Sequence, residues 1–207
     1  MKRILFLTCL AVASIGSALG TPLSNIVLNK PVTLVGTFGY PDTSTPPASP
    51  TTLVDGLFLA GGTDWYDGTV WWDTTLPDSS NNSIIINLLT PYTISGFIAQ
   101  ADDNDIYQVD YWNGSQWLSA WTIPTNLYGG LRVRPNDTDY TEIYMIPTPI
   151  TTAQLRITEV GGDSHYGISE LQAWGTTPVG VVPEPSTFLL IGGGLVAVAL
   201  RFRRKRA

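Results

Sequence analysis

Cysteine, histidine and basic residues are scarce in this 207-residue chain, and each shortage excludes a class of site. The single cysteine, Cys9, lies in an N-terminal apolar run, so the chain beyond that run has no disulfide and no thiol nucleophile. The single histidine, His165, would have to serve alone in a Ser-His-Asp triad or a histidine zinc site. No G-x-S-x-G or H-E-x-x-H pattern accompanies it. We therefore expect a non-catalytic domain stabilised by its core or by a bound ion.

Basic residues are concentrated at the two ends of the chain. Residues 21–182 hold only Lys30, Arg132, Arg134 and Arg156 against 16 acidic residues, which gives this span a net charge of −12. A surface this negative repels the phosphate backbone of DNA and RNA. The charge argues against nucleic acid as a partner and favours cations.

Helical periodicity is absent from the middle of the chain, which predicts an all-β fold. Alternating and β-branched segments predict strands, and turn residues recur between them at the spacing of a β-sandwich. The clearest signal is Asn113-Gly114, which predicts a hairpin between strands at 106–112 and 116–123. Further strands are predicted at 83–89, 92–101, 131–134, 142–146, 153–160 and 168–174, with a proline-rich exposed loop at 39–52.

Residues 1–20 have the pattern of a secretory signal peptide. Lys2 and Arg3 precede an apolar run, and small residues follow it up to Gly20. The sequence therefore predicts export, with a folded domain over residues 21–178.

Residues 179–207 form a tail of three segments. Val182-Pro183-Glu184-Pro185-Ser186 is followed by an apolar run at 187–200 and a basic tail at 201–207. As a helix the apolar run would be about 21 Å long, short of the ~20 residues that comfortably span a bilayer. Positive charge at its end places the C-terminus in the cytoplasm and the domain outside. We expect a single apolar helix in the membrane. A family resemblance of the tail, described below, implies that the helix lies only transiently in the inner membrane, and an ordinary single-span anchor is the alternative.

Carboxylates, tryptophans and glycines are concentrated in the segment 53–73, LVDGLFLAGGTDWYDGTVWWD. Ca²⁺ takes about six to eight oxygen ligands, many of them backbone carbonyls that a glycine-containing turn can direct inward. The turn at Asp55-Gly56 therefore predicts a calcium-binding loop. The alternative is a solvated acidic hairpin.

Three aromatic residues and the histidine lie in predicted loops and are candidates for ligand contact. Trp65, Tyr66 and Tyr128 offer flat rings on which a sugar can stack. His165, beside Tyr166, is either a loop residue near a ligand rim or an inert surface group. The alternative is that these rings cap the end of the core.

The acidic turn that contains Asp102, Asp103 and Asp105 has three interpretations. Asp102 and Asp105 are candidates for contact with a cation or with sugar hydroxyls. A glycosidase acid and base would have to flank a bond at roughly 5 to 9.5 Å, but neighbouring strand-end side chains diverge. The third interpretation is a solvated turn.

Four sequence segments of the domain resemble those of a known family. They are NIVLNKPVT from Asn25, the turn Asp55-Gly56, the tryptophan-containing segment 70–73 and YGISELQAWG at 166–175. Residues 25–175 thereby resemble the discoidin-like, or coagulation factor 5/8 type C, galactose-binding-like domains. The resemblance implies a β-sandwich jelly roll with a structural Ca²⁺ near the Asp-Gly turn and glycan contacts on loops at one end.

The same resemblance implies which residues hold the cation. It brings the Asp-Gly turn and the closing strand to one end, so that Asp55, Glu170 and the carbonyls of Leu53 and Leu57 bind Ca²⁺. The alternative is that Glu170 only accepts hydrogen bonds from backbone amides of the turn. The inserted segment LAGGTDWYDG lengthens the family's usual spacing after the turn.

The tail resembles the PEP-CTERM sorting signal. That resemblance implies a Gram-negative bacterium that makes exopolysaccharide, and an exosortase that recognises Val182, Pro183, Glu184 and Pro185 and cleaves near them. We therefore expect an exported, non-catalytic module that binds extracellular polysaccharide at the cell envelope. The alternative function is a structural surface or biofilm matrix protein without a defined sugar ligand.

The tail also predicts the fate of the protein during export. Deleting residues 183–206 should release the domain as a soluble secreted protein, because the apolar run and the basic tail are then absent. Glu184→Ala should leave full-length, uncleaved protein in the inner membrane. Mass spectrometry of the surface-exposed form checks this, and an intact 201–206 segment on that form would contradict processing.

Overall fold

Nine strands and one 3-10 helix form the described part of the chain, which comprises residues 21–39, 45–76 and 81–177 of a computed structural model. The elements are β1 (Ser24–Asn25), β2 (Val32–Val35), the 3-10 helix (Pro50–Val54), β3 (Val70–Asp73), β4 (Ser83–Asp102), β5 (Ile106–Trp112), β6 (Trp117–Ile123), β7 (Leu131–Arg134), β8 (Tyr144–Gly161) and β9 (His165–Thr176). These residues contain no α-helix, so the all-β prediction is confirmed for them.

The strands pair antiparallel in one hydrogen-bonded sheet. Its order is β1-β9-β4-β8-β5-β6, with β2 and β7 also paired to β4, and β3 paired to β9. β4 and β8 are long, at 20 and 18 residues. Their ladder shifts register between Asn87 and Tyr92 and again between Ile94 and Gly96. Because such shifts bend a strand, each long strand can serve two parts of the sheet.

The sheet folds over on itself to form a sandwich. In the hydrogen-bonded order β5 is separated from β9 by β8 and β4, so in a flat sheet these two strands would lie roughly 14 Å apart. The rings of Tyr107 on β5 and Tyr166 on β9 instead lie 5.8 Å apart. Trp72 on β3 contacts both rings. The two faces of the sandwich therefore meet across a shared aromatic core.

Alternation along β4 shows how the sequence fills this core. Ile84, Ile86 and Leu88 are fully buried, while Ile85 between them is half-buried and Asn87 is exposed. One face of this apolar segment is therefore buried, and the other is partly open to solvent. Successive side chains of a strand point to opposite faces, which explains the pattern.

The predicted hairpin is confirmed. β5 and β6 pair across Asn113-Gly114, and Gly114 takes a φ of 100°, which glycine adopts at little cost.

The strands predicted separately at 83–89 and 92–101 are one strand, β4, and those at 142–146 and 153–160 are one strand, β8. Pro91, Pro147 and Pro149 lie between the predicted strands. All three fall within the register shifts, where the ladder does not need their missing amide.

The targeting segments lie outside the described residues. These are the signal peptide at 1–20, the sorting residues Val182, Pro183, Glu184 and Pro185, the apolar run and the basic tail. Within residues 21–39, 45–76 and 81–177, no helix is long and apolar enough to cross a membrane.

Candidate functional site

Three loops meet at the end of the sandwich where β4 finishes. They are residues 57–69 before β3, 124–130 between β6 and β7, and 162–164 between β8 and β9; we call them the loop end. The first loop is hydrogen-bonded to the residue that directly follows the second loop and begins β7, because the Gly62 amide donates to the Leu131 carbonyl at 2.9 Å and the Leu131 amide to the Thr63 carbonyl at 2.8 Å. The third leads into His165, whose ring centroid is 5.2 Å from that of Trp65.

Trp65 is the centre of an aromatic cluster. Its ring centroid lies 5.3 Å from those of Tyr66 and Trp71, in edge contact with both. Trp71 is buried, Trp65 is half-buried, and Tyr66 is 38% exposed. The structure thus brings together three of the predicted ligand residues, Trp65, Tyr66 and His165, on the support of a buried tryptophan.

The backbone of Trp65 lies directly against β9. A Cβ atom at Gly167 would lie 2.1 Å from the Trp65 carbonyl oxygen, so a side chain at this position would displace the loop. The Thr69 hydroxyl donates a hydrogen bond to the same carbonyl. Trp65 is therefore positioned by backbone contacts as well as by the packing of its ring.

Polar groups surround the cluster. His165 Nε2 lies 3.8 Å from Asp73 Oδ2, and His165 Nδ1 lies 3.5 Å from Asp163 Oδ1. The Tyr66 hydroxyl donates to Asp64 Oδ2 at 3.3 Å. Flat rings beside a few accessible hydrogen-bonding groups are typical of small-molecule and sugar sites.

Tyr128 is also predicted to contact a ligand. It lies on the neighbouring 124–130 loop and is 68% exposed. The guanidinium of Arg132 lies 5.9 Å from its ring centroid. Leu127, Gly129 and Gly130 around it all take positive φ, so the loop has a specific, tightly curved backbone. This backbone presents the Tyr128 ring to solvent.

Asp103 holds this loop in place, although the sequence pattern does not single it out from its acidic neighbours. The side chain is buried, and Oδ2 accepts hydrogen bonds from the amides of Tyr128 and Gly129. The Asp103 carbonyl accepts from the Asn126 amide at 2.7 Å and from the Leu127 amide at 3.2 Å. Four consecutive amides are thereby satisfied by one residue.

The side chains of Asp102 and Asp105 are 4% and 0% exposed, so they do not contact a sugar on the surface, and their predicted contact with a cation stays a prediction. Asp105 Oδ1 accepts from the Asp163 amide at 3.2 Å, and Oδ2 accepts from the Tyr107 hydroxyl at 3.3 Å. Asp102 Oδ1 accepts from the Asp103 amide at 2.9 Å. The predicted solvated turn is wrong for the same reason. Buried amides need acceptors, and these carboxylates supply them.

Burial also changes the acidity of this pair. Desolvation raises the pKa of Asp105 to about 7, and the charges of Asp102 and Asp163 add to the shift. Desolvation likewise raises the pKa of Asp102 to about 6, against which the buried Arg134 guanidinium acts. That guanidinium donates hydrogen bonds to the carbonyls of Ala101 and Asp102 at 2.7 and 2.6 Å. Near neutral pH the pair therefore carries less than its full charge.

The Asp-Gly turn and Glu170 also meet, although they are far apart in sequence. Glu170 Oε1 accepts from the Gly56 amide at 3.1 Å, and Asp55 Oδ1 accepts from the Leu57 amide at 2.8 Å. Glu170 is fully buried, and its Oε2 makes no hydrogen bond of normal geometry among the residues that the structure describes. Desolvation raises the pKa of Glu170 to about 8, and the Asp55 carboxylate adds to the shift, although the Gln172 side chain and the Asp55 backbone lie close enough to lower this pKa. The hydrogen bond from the Gly56 amide to Glu170 is the one expected if no metal binds here. The second carboxylate oxygen of Glu170 is buried beside it without a hydrogen bond of normal geometry.

A family model for the PEP-CTERM protein-sorting motif matches residues 181–205. The resemblance of the tail is thereby confirmed. A motif of this class marks an exported protein of the cell envelope that an exosortase processes. No curated protein matches the sequence significantly.

Solved structures with a similar fold include several carbohydrate-binding proteins. A fucolectin from Morone saxatilis (striped bass) serum is similar with a TM-score of 0.51 at 12% identity, over 75% of this chain and 50% of that chain. The family 32 CBM from C. perfringens NanJ, solved in complex with galactose, gives a TM-score of 0.48 at 12% identity, over 74% of this chain and 98% of the module. Chitosan-binding module 2 of a Paenibacillus sp. IK-5 chitosanase/glucanase, in complex with chitotriose, gives 0.44 at 16% identity, over 72% and 98%. The similarity to the fucolectin confirms the predicted galactose-binding-like β-sandwich.

The raised pKa of Asp105 predicts that stability falls with rising pH. Its folded value of about 7 exceeds its ordinary value of 3.8, so between these values the folded state binds more protons than the unfolded state. Stability is then greater near pH 5 than near pH 8. Because one pKa unit corresponds to about 1.4 kcal/mol, the contribution of Asp105 should be on the order of a few kcal/mol.

Asp105→Asn isolates this contribution, because the amide keeps an acceptor for Asp163 and a group that can pair with Tyr107. Thermal melting from pH 5 to pH 8 in chelator should show a smaller loss of stability for this variant than for the wild type. Parallel pH profiles for the two proteins would contradict the assignment.

Proposed function

We propose that the chain is an exported, non-catalytic module that binds extracellular polysaccharide at the cell envelope through its loop end. The observation that supports this most strongly is the cluster of Trp65, Tyr66 and His165, beside which the 124–130 loop carries the exposed Tyr128. The chain also shares its fold with a fucolectin. The sorting motif supports a location at the cell envelope.

The chemistry of the loop end suits sugars. A pyranose ring presents an apolar face of C–H groups and a rim of hydroxyls, so a site for it needs a flat ring and nearby polar groups. Tyr66 and Tyr128 supply exposed rings. Asp64 and the exposed edge of His165 supply hydrogen-bonding groups beside the first ring. These groups are held by backbone contacts, which limits the entropy lost on binding.

The buried acids support binding without hydrolysis. A glycosidase needs two carboxyl groups on either side of the scissile bond, about 5 to 9.5 Å apart and open to it. Asp102 and Asp105 are buried and engaged with backbone amides or the Tyr107 hydroxyl. Neither carboxyl is placed to reach a sugar on the surface.

A structural Ca²⁺ at the Asp-Gly turn forms part of this proposal. The buried Oε2 of Glu170, which makes no hydrogen bond of normal geometry, fits a cation ligand, since a bound cation would keep this carboxyl ionised at neutral pH. Among the described residues no three Asp, Glu, His or Cys side chains form a metal-binding group, so Asp55 and Glu170 would be the only two carboxylate ligands. Carbonyls such as those of Leu53 and Leu57, together with water, would complete a shell that Ca²⁺ accepts. The ion would lock the turn against β9.

Aromatic substitutions test the sugar platform. Tyr66→Ala and Tyr128→Ala should each weaken polysaccharide binding about tenfold, or ~1.4 kcal/mol, because each removes an exposed stacking ring. Both variants should melt close to the wild type. Isothermal titration with the polysaccharide selected on a glycan array measures the affinity.

Trp72→Ala is the contrasting variant, because Trp72 is only 1% exposed and contacts Phe38, Tyr107 and Tyr166. It should cost about 3 to 5 kcal/mol of stability by leaving a cavity. Unchanged affinity of both tyrosine variants would count against the platform.

Removal of Ca²⁺ tests the metal. An ion that binds only the folded state stabilises it by about 2.7 kcal/mol at a hundredfold excess over Kd. For a domain of this size that corresponds to a melting temperature roughly 5 to 11 °C higher, so chelation should lower it by this amount. Differential scanning calorimetry in Ca²⁺ and in chelator measures the shift.

Variants of the two carboxylates show where the ion binds. Asp55→Asn and Glu170→Gln should each abolish most of the shift, while Asp137→Asn, in the β7–β8 connection, should keep it. Mg²⁺ serves as a control for charge screening, since its stricter geometry suits a carbonyl-rich loop poorly. Equal melting temperatures in Ca²⁺ and chelator would remove the metal from the proposal.

A further inference from the structure

Among the four basic residues of residues 21–182, Arg132 is the one whose side chain donates to no hydrogen-bond acceptor in the described part of the chain. Lys30 donates to the Tyr92 hydroxyl at 3.4 Å and lies over its ring. Arg134 is buried and donates only to backbone carbonyls. Arg156 forms an ion pair with Asp110 at 2.6 Å and lies over the ring of Trp117.

The guanidinium of Arg132 forms no ion pair and no hydrogen bond within the described ranges. Its recorded side-chain partner is the ring of Tyr128, and its Nε is buried without an acceptor. In a span with 16 acidic and four basic residues, carboxylates are plentiful, so an unpaired arginine is unexpected. A buried donor without an acceptor is costly and is normally satisfied. Nε is closed to solvent, but Nη1 and Nη2 also lack an acceptor among the described residues and are not buried, so they can donate to an acceptor that arrives with a ligand.

A glycine turn and two tyrosines surround the guanidinium of Arg132 at the loop end. A Cβ at Gly61 would lie 3.4 Å from Arg132 Nη1 and 3.3 Å from the Tyr140 hydroxyl, and a Cβ at Gly62 would lie 3.6 Å from Nη2. The turn formed by these two glycines therefore lies directly beside the guanidinium and the phenol hydroxyl. Tyr128 and Tyr140 are 68% and 37% exposed. A cation, a phenol hydroxyl and two rings thus border one glycine turn.

We propose that Arg132 binds the carboxylate of an acidic sugar residue, such as a uronic acid, in a subsite formed with Tyr128, Tyr140 and the Gly61-Gly62 turn. This inference rests on the proposed glycan-binding function and specifies its ligand class. A planar guanidinium matches the geometry of a carboxylate and is only weakly hydrated. The negative charge of the domain repels an acidic polymer as a whole, so a local partner is needed to select one carboxylate.

A matched pair of ligands tests the inference. Trigalacturonate and the same trisaccharide after carboxyl reduction differ only in the charged group. Isothermal titration should show that the wild type prefers the acidic form. Arg132→Gln should lose about 10- to 100-fold in affinity for that form, the range expected for charge-assisted hydrogen bonds, and bind the reduced form as before.

Two further variants separate local contact from net charge and from folding. Arg132→Lys keeps the charge but not the planar fork, so it should lose part of the preference. Lys30→Gln removes the same charge beside Tyr92, which precedes Asp102 by ten residues or roughly 30 Å along β4. It should keep the full preference. Melting temperatures close to that of the wild type show that the variants are folded.

The outcomes distinguish this inference from the proposed function. Equal affinity of the wild type for the two trisaccharides, or an unchanged preference in Arg132→Gln, would overturn the carboxylate subsite and leave glycan binding standing. Failure to bind any polysaccharide of a panel with neutral and acidic members would overturn the proposed function and this inference with it.

Discussion

The loop end depends on a small group of buried carboxylates where β4 turns into β5. Asp103 accepts hydrogen bonds from four successive amides of the loop that carries Tyr128. Asp105 accepts from the Asp163 amide, two residues before His165, and from Tyr107, whose hydroxyl also pairs with the backbone of Gly167. Two of the three loops, 124–130 and 162–164, are therefore tied to one turn. Burial of carboxyl groups is costly, and these amide contacts offset the cost while they define the site.

The cost of burying polar groups also draws attention to charged side chains that the fold leaves without a hydrogen-bond partner. Most buried polar groups are satisfied, so the exceptions are informative. Oε2 of Glu170 and Nε of Arg132 are both buried without a hydrogen bond of normal geometry among the residues that the structure describes. One is an acceptor beside a second carboxylate, and the other is a donor beside exposed rings. The two groups have opposite charge requirements, which is why we assign a cation to the first and an anionic sugar group to the second.

Patterns local in sequence predicted much of this structure. Asn113-Gly114 predicts the hairpin because the turn type depends on these two residues alone. The contact between the Asp55-Gly56 turn and Glu170 is predicted from a family resemblance instead. The role of Asp103 was not predictable in this way. Asp102, Asp103 and Asp105 are chemically alike in the sequence, and only the fold decides which amides each one meets. The partnerless state of Arg132 likewise depends on where three loops place their side chains.

We propose that the glycan binds at the loop end and at no other aromatic surface. The Trp112–Trp117 pair at the tip of the β5–β6 hairpin is the natural competitor, since these rings are half-buried and 5.3 Å apart. A titration of ¹⁵N-labelled protein with a bound oligosaccharide, followed by NMR, compares the two surfaces directly. We predict shifts of the Trp65 indole and of the Tyr66, Tyr128 and His165 amides, with the Trp112 and Trp117 indoles unchanged. Shifts confined to the hairpin tip would contradict the account.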